Sequence, residues 1–337
     1  MERKRMFRMA VVFCMLGAFL AGPMVVSAEE KKPITRKMVL GGRLGDPWFV
    51  LSQALANFVN KESDWLRLEV VATPGASAGA EIASKDYEKY IFISPYYGMR
   101  MHPTDKRVNF YDKERIIALV SPITHIWITY DKNIKTGKDL AGKRVFIGRP
   151  GGARTFMERK VLEENGVLDK VKLLHGGFGG GRNAMRDGLC DVTVTGIDYI
   201  MPSTFKKGAF IEDLETRKPI YYPNLMPKEM QTKLGMLPVK VPGGGLDDKT
   251  QPEAVYAAID ATYWCADARM DEAVVREVTR IVYKNLDGFV DWHAQGANLT
   301  KDAICTYVIG PQQMHPAAMK YYKEVGANVR PLTDILP

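Results

Sequence analysis

The apolar positions of this chain change period again and again. Residues 37–41 form a short apolar run that reads as a strand, and residues 47–60 place Trp48, Leu51, Leu55 and Phe58 on one helical face. "LRLEVVAT" at 66–73 predicts the next strand and residues 77–84 a small-residue helix, with a glycine-bearing turn between them. "YIFI" at 90–93 predicts a third, buried strand. This β-α-β-α order predicts a mostly parallel sheet with helices on its faces. The long apolar stretch 116–130, "IIALVSPITHIWITY", is interrupted by Pro122, and it predicts two strands in succession rather than one helix.

The pattern then starts over with strand 144–147, a glycine turn, helix 153–165, strand 171–174, a second glycine turn, helix 183–187 and strand 191–195. A restarted series predicts a second domain. Gly243, Gly244 and Gly245, with Asp247 and Asp248, mark a loop before the apolar stretch 254–268, which predicts another strand. The clearest later helix is 271–286, where Val274, Val278, Ile281 and Val282 are in register. No strand-rich unit follows it. The helical tail is therefore expected to cover the first domain, with the chain crossing between domains near residues 121–129 and 256–265. The expected fold is α/β with two lobes, the first built from 29–122 plus 257–337 and the second from 123–256.

The first 28 residues stand apart. Arg3, Lys4, Arg5 and Arg8 precede an apolar stretch at 9–20 and a small-residue end, Val26, Ser27 and Ala28, which is the make-up of a secretory signal cleaved after Ala28. The apolar stretch is short for a bilayer span. Removing the signal takes the formal charge from +8 to +5, because four basic residues and one acid, Glu2, leave with it. The remaining basic residues are scattered, which argues against nucleic acid and leaves small anions open as partners. Cys14 falls within the signal, and Cys190, Cys265 and Cys305 fit no metal-ligand spacing. Each is expected as a buried free thiol, although an oxidising compartment permits one disulfide.

Candidate chemistry lies in the turns. "LGGRLGDPW" at 40–48 ends a strand at Gly41 and Gly42 and starts a helix with Asp46 as N-cap and Pro47 in the first turn, so free N–H groups point past the strand's carboxyl end. Such a place attracts anions, and in an open α/β sheet the cleft lies there. "TPGASAG" at 73–79 and "RPGGARTF" at 149–156 repeat the arrangement, so three helix starts are expected to face one cleft. No G-x-G-x-x-G leads from strand to helix with an acid further on, and "GGFGGGR" at 176–182 is the nearest mimic of a dinucleotide site. The five histidines are dispersed, and no base stands beside a nucleophile at a recognisable spacing, so neither a metal centre, a cofactor site nor a nucleophile with a base is indicated.

Four segments carry a family resemblance: "GGRLGDPW", "IKTGKDLAGKRVFIGRPGG" at 134–152, "VVREVTRIVYKNLDG" at 274–288 and "MHPAAMKYYKEVG" at 314–326. Together, and in this order, they resemble the TAXI family of receptors of tripartite ATP-independent periplasmic (TRAP) transporters, over roughly residues 36–326. The resemblance implies a two-lobe periplasmic binding protein of the type II, Venus-flytrap kind. Such a protein would hold an organic acid or amino acid between its lobes and pass it to a membrane permease. Two features depart from the family: Arg154 stands where a small hydroxyl residue is common, and the stretch at 176–182 carries extra glycines.

The expected ligand site comprises Gly42, Arg43, Gly45, Trp48, Gly75, Ser77, Tyr96, Gly152, Ala153, Arg154 and Thr155. Arg154 is the expected carboxylate clamp, with Arg43 a second cation; otherwise both are solvated surface arginines. Trp48 either walls the cleft or packs in the core. Ser77 and Thr155 either cap helices or reach the ligand. Of Tyr96 and Tyr97 one is expected at the ligand and the other in packing, while His125 is expected in a hinge or structural role. The expected protein is a periplasmic monomer that binds a small anion and serves TRAP-type permease subunits. A periplasmic enzyme or sensor partner on the same fold is the alternative.

Overall fold

The computed structural model describes residues 33–101, 111–150 and 153–336, so the secretory segment predicted at 1–28 lies outside the described residues. The chain opens with β1 (Thr35–Leu40), α1 (Pro47–Glu62), β2 (Leu66–Val71), α2 (Ala76–Lys85), β3 (Tyr90–Pro95) and the short α3 (Tyr96–Met101). A long strand, β4 (Glu114–Thr129), then leads to β5 (Arg144–Ile147), α4 (Ala153–Glu164), β6 (Lys172–His175), α5 (Phe178–Arg186), β7 (Val192–Ile200) and β8 (Thr204–Lys206). After α6 (Ala209–Glu215), α7 (Lys228–Lys233) and β9 (Leu237–Val241), a second long strand, β10 (Val255–Asp267), leads back to α8 (Glu272–Lys284), β11 (Thr306–Tyr307), α9 (Pro316–Glu324) and β12 (Arg330–Pro331).

Ten of these strands make one sheet in the order β2-β1-β3-β10-β4-β7-β5-β6, with β8 on β7 and β9 on β10. Its two ends are parallel, β1 with β2 and β3, and β5 with β6 and β7. Antiparallel β4 and β10 join them. Along β10, residues from Val255 to Ile259 pair with β9 and residues from Thr262 to Cys265 pair with β3. Along β4, the last six residues pair with β7. Each long strand thus begins in one half of the sheet and ends in the other. Ile34–Pro337 packs as one compact unit around this shared sheet.

Residues 116–129 lie in one strand, β4, which corrects the two strands expected over 116–130. Strands covered on both faces lose the polar–apolar alternation, so the run carried no sign of its length. Pro122 is accommodated by a nearby irregularity: Thr262 pairs with Ser121 and Tyr263 with Leu119, which leaves Val120 bulged. The valines and isoleucine predicted in register on α8 are all fully buried. Asp271 caps that helix, accepting a hydrogen bond from the Ala273 N–H at 2.8 Å. Lys284 ties α8 to Glu62 of α1 at 2.8 Å, and Phe289 meets Phe58 edge to face at 5.0 Å. Deeper in, the Trp264 indole donates to Ser52 at 3.0 Å. His315, fully buried, accepts from the Ala317 N–H at the start of α9, and its burial pulls its pKa down to about 4. Cys190, Cys265 and Cys305 are buried free thiols, as expected.

Candidate functional site: a cleft between the halves of the sheet

The first wall grows from the turn after β1. Gly42 takes φ +83°, and a Cβ there would lie 2.8 Å from Ile93 Cδ1, so this glycine shapes the turn rather than facing the cavity. Gly42→Ala is expected to cost about 1 to 2 kcal/mol from the left-handed backbone alone, read as a lower melting temperature. Gly45 is also left-handed, at φ +84°. Asp46 precedes α1 in extended backbone, but its carboxylate caps no helix N–H. Burial raises its pKa, against the pull of the Arg43 charge and backbone N–H. Arg43 reaches across to the second turn and donates to the Pro74 carbonyl at 2.9 Å. Its guanidinium lies 3.7 Å from where a Gly75 side chain would begin. Gly75, at φ +153°, is the N-cap of α2, and Ser77 falls one residue into that helix.

The second wall grows from the turn after β5. Glu158, 4% exposed on α4, accepts from the Gly148 N–H at 2.7 Å and from Arg154 Nε at 2.6 Å. Arg154 also donates to the Val194 carbonyl on β7 at 3.0 Å. It is therefore not a solvated surface arginine: it fastens α4 to the sheet while its side chain lines the cavity. Thr155 donates its hydroxyl to the Arg149 carbonyl at 2.6 Å, closing the same turn. The extra glycines at 176–182 have a packing cause. Side chains added at Gly176, Gly180 or Gly181 would start 2.6, 3.0 and 3.2 Å from the Phe146 ring, so α5 can settle on β5 only without them. Gly177 leaves room for the Arg149 guanidinium, 3.3 Å from its would-be Cβ.

These walls enclose a cavity of about 500 Å³, a size suited to a small organic molecule. Of the expected site residues, Arg43, Trp48, Gly75, Ser77, Arg154 and Thr155 line it. Gly42, Gly45 and Tyr96 do not, and the Tyr96 hydroxyl instead donates to the Gly235 carbonyl at 3.3 Å. Gly152 lies outside the described residues, as does the side chain of Ala153. Trp48 is half-buried in the cavity wall, not in the core. His125 also faces the cavity, from β4.

Sequence reasoning passed over Arg149, Asp46 as a wall residue, Asp198, Asp260, Phe210 and Gln295, which line the cavity too. Arg149 had a signal, since it follows a strand-ending glycine just as Arg43 does. Asp260 had one as well, a carboxylate at the centre of the apolar stretch 254–268. It accepts from the Tyr97 N–H at 3.0 Å and lies 3.8 Å from His125 Nε2. Gln295 donates to Asp198 at 2.8 Å from the tail of the chain, which no local pattern could place. Arginines 43, 149 and 154 thus share one cavity with aspartates 46, 198 and 260, so its charge is bipolar rather than purely cationic.

Residues 40–326 match the model of the NMT1-like family. Among solved structures, the periplasmic binding protein BugD superposes with a TM-score of 0.51 at 13% identity, over 89% of this chain and 99% of that one. MatC (Rpa3494) from Rhodopseudomonas palustris with bound malate gives 0.52 at 14% identity, over 87% and 97%. A periplasmic transporter gives 0.53 at 10% identity, over 88% and 96%. At these identities the likeness is one of fold, the two-lobe α/β architecture of periplasmic binding proteins.

Proposed function

We propose that this chain, which belongs to the NMT1-like family, is an extracytoplasmic solute receptor that captures a small carboxylate and delivers it to a membrane permease. The observation that carries this is the meeting of three strand-end turns on one cavity at the boundary between the two halves of the sheet, each turn contributing an arginine or a helix start. A carboxylate suits the arginines through charge-assisted bonds. Aspartates 46, 198 and 260 suit an ammonium group, which favours amino acids among the candidate ligands, ahead of dicarboxylates and 2-oxo acids. The quoted family motifs support a TRAP-type permease as the partner, and the basic, apolar and small-residue order of 1–28 supports export to the periplasm with cleavage after Ala28. The lobes proposed are 29–122 plus 257–337 and 123–256, hinged at β4 and β10, with the receptor working as a monomer.

Binding rather than turnover is the proposed role. A ligand that binds only the native state delays unfolding by mass action. A thermal-shift screen of acidic and neutral amino acids, C4 to C6 dicarboxylates and 2-oxo acids is expected to give at least one hit, with isothermal titration supplying its affinity. Silence across all of these, with a hit among sugars or metal ions, would remove the carboxylate from the proposal.

A further inference from the structure

The two ends of the sheet repeat one arrangement. After β1, Arg43 lies beside Gly75, the N-cap of α2, and donates through Nε to the Pro74 carbonyl at 2.9 Å. After β5, Arg149 lies beside Gly177, the N-cap of α5, where a Cβ would begin 3.3 Å from Nη2, 3.5 Å from Nε and 3.8 Å from Cζ. Both arginines line the main cavity. Gly177 has φ −68° and ψ 171°, backbone open to any residue, so its own conformation does not call for glycine. What the glycine supplies is the space that the guanidinium rests against.

The two arrangements differ in what the guanidinium holds. Arg43 has the Pro74 carbonyl, and the third cavity arginine, Arg154, has Glu158 and the Val194 carbonyl. Among the described residues the Arg149 guanidinium has neither a hydrogen-bond acceptor nor an acidic partner. Its backbone is nevertheless fixed. The Gly148 N–H is held by Glu158 at 2.7 Å, and the Arg149 carbonyl accepts from the Thr155 hydroxyl at 2.6 Å. Arg149 is exposed, so water can reach it, but a merely solvated arginine would be indifferent to the residue at 177. A planar cation with a fixed base, a glycine against one side and unspent N–H groups suits a carboxylate from outside the chain, at a reduced ordering cost.

We infer that Arg149 is the principal carboxylate anchor of the cavity and that Gly177 positions it, an assignment that rests on the receptor role proposed above. The probe is acetate, the simplest stable carboxylate, exchanged for chloride at constant ionic strength while nitrogen-15 NMR follows the arginine Nε–H signals at about pH 6. The Arg149 signal is identified by its loss in Arg149→Lys. It is expected to move saturably and at least about twofold further than that of any other arginine, because a charge-assisted bond to a carboxylate forms there. Gly177→Val, which puts a branched side chain where the guanidinium rests, is expected to halve that movement at least, with the melting temperature of the unliganded protein within about 2 °C of wild type. An Arg149 signal that moves no further than the rest overturns the anchor, and an unchanged response in a folded Gly177→Val overturns the positioning role. Gly177→Ala, a smaller intrusion on the same side, is expected to reduce the movement by less, and it decides the positioning role should the valine variant not fold. A hit in the thermal-shift screen with a still Arg149 signal would keep the receptor and remove the anchor. A moving signal with no hit would do the reverse.

Discussion

Replacing Arg154 with alanine is expected to lower the stability of the unliganded protein by about 3 kcal/mol, before any ligand is considered. The Glu158 carboxylate would keep the Gly148 N–H but lose the guanidinium 2.6 Å from its other oxygen, leaving a buried anion half satisfied. Breaking a buried pair from one side typically costs about 3 to 5 kcal/mol. The low end applies here because the Arg154 side chain is 20% exposed, so water can reach the gap. Read as a surface clamp, Arg154 would leave the unliganded protein almost untouched on removal, so the two pictures differ in a measurable way. Urea unfolding of Arg154→Ala, Glu158→Gln and the double variant decides between them. The double variant is expected to recover much of the loss, since it removes the stranded charge with its partner. Equal midpoints for wild type and Arg154→Ala would return Arg154 to a surface role. In the proposed receptor, Arg154→Ala also weakens a bound carboxylate by about ten- to a hundredfold, and Arg154→Lys recovers only part, because an ammonium lacks the planar fork.

The contrast shows which parts of this protein could be read from its chain. Parallel strands with helices between them announce themselves by alternating periods and by glycine turns, so both ends of the sheet and the three cavity-edge turns were legible. Their side chains were not. Whether Arg154 meets a ligand or Glu158 depends on a partner four residues along the same helix whose burial no pattern reveals. The long central strands hid for the opposite reason: β4 is apolar on both faces, and its proline suggested a break that a bulge at Val120 absorbs. Asp198, Asp260 and Gln295 reach the cavity from β7, β10 and the C-terminal tail, and only the sheet order brings those three segments together. The extra glycines at 176–182 were visible as a departure, while their cause, the Phe146 ring beneath α5, is a tertiary contact.

Stability is expected to fall by about 1 kcal/mol between pH 6.5 and 8, and Glu114 is the cause. At the start of β4 its carboxyl is pushed up to about 8 by burial, against the opposing hydrogen bond from Ser94 and the charge of Arg115. The unfolded chain gives up this proton near 4.5, while the folded protein keeps it until about 8. Between those values the native state binds more protons than the unfolded state, so unfolding becomes easier as pH rises. His315 works in the other direction. Its folded value of about 4 lies below the ordinary 6.5, so its contribution grows as pH rises from 4 and levels off about one unit above 6.5. Above pH 6.5 the histidine therefore offsets only a small part of the carboxyl's loss. Cysteines 190, 265 and 305 are raised above the ordinary thiol value of 9.0, which keeps their titration above the window. Glu114→Gln preserves a neutral group of the same shape and removes the titration, so its stability is expected to stay level where the wild type declines. Urea unfolding of both proteins at pH 6.5 and 8 measures the difference. Parallel behaviour of the two would show that Glu114 is already ionised at neutral pH.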